Sequence, residues 1–230
     1  MPVFHHAAAV CGSSFGTTSF GTPHLYNTCY NHDGDRMNME QKNYMATASG
    51  RTINLSYPVL DDIHIEDIAH HLSYICRFNG AVRRFYSVLE HSILVHDILW
   101  HAGHDHVTLY EGLLHDAHEG YTADDITGKK RAVPTIKEWE KMWALKVKQV
   151  FLLPQSMSTI VKDADRMALS LERDFVCTPA MRDNVEAWTP FDVPENTLPQ
   201  GMLHNWQPGE GIPYFLARFH SLRKQLGMGT

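Results

Sequence analysis

The sequence predicts an all-α fold: a helical bundle with a flexible N-terminal arm and an irregular C-terminal extension. Three observations predict it. Apolar residues between positions 65 and 175 recur at helical rather than strand spacing. Capping residues, prolines and glycines bracket those stretches. The flanking segments, 1–44 and 178–212, are rich in small, polar and helix-breaking residues and carry no sustained period. At 230 residues, 43% hydrophobic and 20% charged, the chain reads as one domain with appended segments.

Residues 1–44 form the arm. Gly12 to Gly21 is a run of Gly, Ser, Thr and Phe, and Asn27 to Asn38 is polar, so neither buries enough apolar surface to offset its ordering entropy. Met37, Met39 and Met45 are alternative starts. The domain is expected over 45–230, with its core at 47–175 and a wrap and terminal helix over 178–230. Ser49-Gly50 mark a turn and Thr52 to Leu55 a short strand. A first helix carries Ile65, Ile68, Leu72 and Ile75 on one stripe, has Glu66 and Asp67 in its first turn, and stops near Arg77-Phe78-Asn79-Gly80.

A second helix, Ser87 to Trp100, lines up Val88, His91, Val95 and Ile98. A third, Val107 to Glu119, carries Leu109, Leu113 and Asp116. A polar loop fills Gly120 to Pro134, and Pro134 opens a fourth helix with Ile136, Trp139, Trp143, Val147 and Val150 in period. Ser156 or Ser158 caps a fifth that runs to Phe175, where Val161, Asp165, Ala168 and Glu172 share a face. The last helix, Pro213 to Leu226, docks through Phe215, Leu216, Phe219 and Leu222.

Four residues carry chemistry: His91, the adjacent pair His115-Asp116, and Asp165. Two imidazoles and two carboxylates on apolar helix faces form an N,N,O,O set for a single divalent transition metal, and manganese, cobalt, zinc and nickel all suit it. A carboxylate such as Asp165, flanked by Val161, Ala164, Ala168 and Leu169, needs a positive partner when buried. The alternative to a metal is an arginine, Arg166 or Arg173, with the histidines hydrogen-bonded in the core.

The segments "EHS" at 90–92, "LLHDAHE" at 113–119 and "DADRM" at 163–167 resemble the HD-domain metal phosphohydrolases. Within them the likeness is to the YfbR-like 5′-deoxynucleotidases and the phage DatZ-type dATP triphosphohydrolases, with residues 65–92 resembling the phage and prophage branch. The resemblance covers about residues 47–175. It implies that His91, His115, Asp116 and Asp165 are the metal ligands and that Glu119 lies beside the reactive water. It also implies that Arg77 grips the phosphate, Phe78 stacks on the base, and Asp124 or Asp125 is the acid of the following loop. That loop reads Ala-Asp-Asp-Ile-Thr-Gly-Lys-Lys and lacks the relatives' prolines, which leaves the choice of aspartate, and of Lys129 or Lys130 as the inward lysine, open.

The expected reaction is hydrolysis of the 5′ phosphoester of a deoxynucleotide. The basic run Lys129-Lys130-Arg131 tilts the expectation toward a dATP triphosphohydrolase, with a 5′-deoxynucleotidase acting on monophosphates as the alternative. A silent nucleotide-binding or interaction protein is the reading outside enzymology. The resemblance further implies a homo-oligomer, acting in the cytoplasm of a phage host or its own cell. A net charge of -6 speaks against stable nucleic-acid binding. No apolar run approaches the roughly 18 residues of a membrane span, and Ala7 to Val10 is too short, with no preceding Lys or Arg, for a signal peptide. Four cysteines without CxxC spacing read as reduced thiols.

Overall fold

In the computed structural model the described residues are 43–184, 188 and 202–229, together with two strands in the arm. The chain divides into two units, Met1–Asn43 and Tyr44–Thr230. In the first, β1 (Cys11–Phe15) pairs antiparallel with β2 (Leu25–Cys29), Cys11 opposite Cys29. Composition alone had not indicated that pair. Residues 1–10, 16–24 and 30–42 of the expected arm lie outside the described residues, and Tyr44 belongs to the second unit.

The second unit is predominantly helical. It opens with a short antiparallel pair, β3 (Tyr44–Ala46) and β4 (Thr52–Asn54), which seals Ile53 against the helices. Helix α1 (Ile65–Tyr74) buries Ile65, Ile68 and Leu72 of the expected stripe, with Ala69 beside them. It ends earlier than predicted, because Ile75 turns extended and Cys76 bridges to Ser87. Arg77–Gly80 is a separate 3-10 turn in which Phe78 and Asn79 take left-handed backbone angles, φ 55° and 54°.

Helix α2 (Val88–His101) is the axis of the fold. Ser87 caps it by accepting from the Glu90 amide, and it is buried on nearly every side because it packs against α1, α3 (His106–Leu114), α7 (Thr159–Phe175) and α9 (Ile212–Gln225). Its buried residues are mostly apolar, as such a central position requires, with Glu90, His91, Ser92 and His96 buried among them. The third helix is shorter than predicted. It stops at Leu114, and residues 115–118 form a tight turn with i to i+3 bonds (Ala117 N–H to Leu114 O, Glu119 N–H to Asp116 O) before α4 (Glu119–Thr122). The expected loop over 120–134 also contains α5 (Thr127–Ala132).

Pro134 opens α6 (Pro134–Val150) as predicted, and the Trp139 and Trp143 indoles both donate to the Leu55 carbonyl. Ser158 caps α7, accepting from Val161 N–H. After α8 (Pro179–Arg182), α9 seats Phe215, Phe219 and Leu222 in the core. Among the described residues no helix is long and apolar enough to cross a membrane, and Cys76 and Cys177 are free thiols.

Candidate metal centre

The chemistry collects where α2, the turn after α3, and α7 meet. His91, on α2, is wholly buried. Its Nδ1 lies 2.6 Å from Glu172 Oε1, and its Nε2 lies 3.2 Å from His115 Nε2. His115 Nδ1 lies 2.8 Å from the Gly112 carbonyl. A carbonyl or a carboxylate can only accept, so each Nδ1 carries a hydrogen and each Nε2 is turned toward the other imidazole. Two Nε2 atoms this close require a positive charge between them, either a proton or a metal ion.

Carboxylates complete the ring. Asp165 Oδ1 is 3.2 Å from His91 Nε2 and 3.9 Å from His115 Nε2, and Asp116 Oδ2 is 3.5 Å and 3.1 Å from the same two atoms. Donors about 2.1 Å from one ion are about 3.0 Å apart at a right angle and about 3.4 Å at the tetrahedral angle. The 3.2 Å, 3.2 Å and 3.1 Å spacings fall in that range, while His91–Asp116 at 3.5 Å and His115–Asp165 at 3.9 Å are longer. His91, His115 and Asp165 present atoms all within 4.8 Å of one another, so this cluster could hold a metal ion.

The electrostatics make the same demand for positive charge. Burial and Arg77 oppose a proton on His91, yet Glu172, Asp116 and Asp165 outweigh them and push its pKa well above the imidazole range. Burial likewise opposes charge on Asp116, but His115 and His91 hold it well below the carboxylate range. Asp165 is lowered in the same way, against burial, chiefly by its hydrogen bond with His91. Neither Arg166 nor Arg173 is the partner of Asp165. They turn to Asp163 and Asp174.

Arg77 is buried beside the cluster, 3.2 Å from Glu172, 3.8 Å from Asp124 and 3.9 Å from Asp116. Its Nε finds no hydrogen-bond partner among the described residues, and neither does Glu119 Oε2. Burial, reinforced by Asp116 and Asp124, raises the Glu119 pKa well above the carboxylate range, and burial raises that of Asp124. The two open choices of the loop separate here. Asp124 faces Arg77, whereas Asp125 pairs with the exposed Lys129. Lys130 is partly buried and 3.0 Å from Glu140. Phe78 lies under Arg77, whose guanidinium carbon is 5.3 Å from the ring centre, and Trp188 packs 6.0 Å from Phe78 at 59°.

Sequence reasoning placed Glu172 on the face of Asp165 but gave it no part, and it passed over Tyr86 and Trp188. The spacing of seven was the available signal, since two turns of helix return a side chain to within about 20° of its start. Glu172 is fully buried, and Arg77, His91 and Tyr86 outweigh that burial and lower its pKa to about 2.

A scan against protein-family profiles finds no match. Two relatives do align along most of their length. The uncharacterized protein YfdR of Escherichia coli is 37% identical over 180 residues, covering 78% of this chain and 95% of YfdR. The uncharacterized protein RCAP_rcc00048 of Rhodobacter capsulatus is 32% identical over 188 residues, covering 77% and 94%. Identity at this level across nearly the whole of both relatives means that this chain belongs to the family of Escherichia coli YfdR.

Proposed function

We propose that this chain is an HD-domain metal phosphohydrolase that releases phosphate from the 5′ position of deoxynucleoside monophosphates. The observation that carries the reading is the pair of Nε2 atoms 3.2 Å apart, ringed by Asp116 and Asp165, next to a buried arginine. His91, His115, Asp116 and Asp165 would hold the ion. When bound, a divalent transition metal supplies Lewis acidity and a water acidified toward neutral pH.

The remaining work falls to the chain. Arg77 neutralises phosphoryl oxygens, and its orphaned Nε is a donor in waiting. Glu119 orients the attacking water through its unpaired Oε2. Asp124, whose raised pKa suits a proton donor, protonates the departing sugar oxygen. Phe78 offers a ring face to the base at one side of Arg77.

Charge favours the monophosphate over the triphosphate that the basic run suggested. Lys129 is committed to Asp125 and Lys130 to Glu140, and Arg131 is exposed. Residues 185–201 contain no Lys or Arg. Further phosphates would therefore add negative charge beside Asp116 and Glu172, both of which are held ionised. The test is product chromatography of a panel of deoxynucleoside mono- and triphosphates with manganese, cobalt, zinc or nickel. Inorganic phosphate from monophosphates is the expected result. Release of tripolyphosphate would restore the triphosphohydrolase, and inertness with every metal would sink the enzyme in favour of a nucleotide-binding protein.

A further inference from the structure

Glu172 takes three hydrogen bonds on two oxygens, with none of its surface exposed. His91 Nδ1–H (2.6 Å) and the Tyr86 hydroxyl (2.9 Å) both donate to Oε1, and Arg77 Nη2 (3.2 Å) donates to Oε2. One carboxylate thus touches a candidate metal ligand and the candidate phosphate-binding arginine, and it is bound to Asp165 by two turns of α7. An imidazole with its Nδ1–H anchored can turn only Nε2 toward the cluster, and anchoring of that kind orients metal-bound histidines generally.

We propose that Glu172 is a positioning residue: it locks His91 with Nε2 toward the metal and holds Arg77 in register with it, so that ion and phosphate are received at a set separation. The proposal rests on the metal centre described above, but not on which nucleotide is cleaved. A glutamine in its place could not serve both neighbours. If its oxygen accepts from His91 and Tyr86, its NH2 faces the Arg77 guanidinium, and if it flips, the NH2 faces their donors. Tyr86 shares Oε1 without touching the cluster, so it provides the control for simple loss of a buried hydrogen bond.

The experiment is a cobalt(II) titration of the full chain, followed by visible absorption, for the wild type, Glu172→Gln and Tyr86→Phe. Glu172→Gln should weaken cobalt binding by about 10- to 100-fold and change the spectrum, while Tyr86→Phe should stay within about threefold. A folded Glu172→Gln protein with wild-type affinity and spectrum would overturn the assignment. Because that variant can fail to fold, the wild type gives an independent reading. In zinc-loaded, 15N-histidine-labelled protein, His91 should carry its hydrogen on Nδ1, and an unprotonated Nδ1 would refute the proposal. Should the wild type bind cobalt but cleave no nucleotide, the proposed reaction falls while both measurements still judge Glu172.

Discussion

Glu119 is held against its own chemistry: buried, with one oxygen unpartnered and two aspartates near enough to raise its pKa well above the usual range. Stability bears the cost. When the folded pKa of a carboxylate is raised, there is no penalty below about pH 4.5, where both states are protonated. The penalty grows as pH rises, because the unfolded state ionises first. Metal-stripped Glu119→Gln should therefore be more stable than wild type by about 1–2 kcal/mol at pH 8, with the gain vanishing near pH 4.5. Urea unfolding at the two pH values measures it, and an unchanged midpoint at pH 8 would show that Glu119 is not strained. The candidate ligands were legible because histidine and aspartate on apolar stripes have few structural uses. Glu172 was not, since an acidic residue on such a stripe reads equally as a helix-surface charge until its donors are seen. The choice of Asp124 over Asp125 depended on backbone direction, which adjacent identical residues cannot reveal.

Between elements, the closest approach that matters is that of α2 and α3. Gly112 faces Leu99 and Val95, and a methyl group added there would collide with the buried Leu99 Cδ1. Its carbonyl also anchors His115. Gly112→Ala improves helix propensity by about 1 kcal/mol but overpacks the seam at about 1–3 kcal/mol. A lower thermal midpoint is the expected outcome, together with weaker cobalt binding as His115 shifts. A rise in the midpoint would mean that the seam has room to spare. Helix identity and order were readable from period and caps, Ser87, Pro134 and Ser158 among them. The end of α3 was not, because the apolar pattern runs on through Ala117 while the backbone tightens at 115–118. His115 and Asp116 nevertheless reach one cluster, His115 Nε2 lying 3.1 Å from Asp116 Oδ2, although neighbours on a helix diverge by about 100°.

Across the whole molecule, every residue of the apolar core among those described, from Ile53 to Leu222, belongs to the unit Tyr44–Thr230. A chain beginning at Tyr44 should consequently melt cooperatively and bind cobalt as the full chain does. Calorimetry and titration of the shortened protein check this, and a non-cooperative melt would assign the first unit a structural part. The other end is different. Phe219 packs on Tyr110 and Phe151, and Glu90 receives the amides of His204 and Asn205, so the C-terminal segment completes the core. By itself the sequence determined the helical class, the order of helices and the residue types able to bind a metal, because these depend on local period and side-chain chemistry. Only the tertiary structure decided which nitrogen faces inward, which aspartate meets Arg77, and that Glu172 joins His91 to Arg77. Those are contacts between residues as many as 95 positions apart, set by how the helices pack.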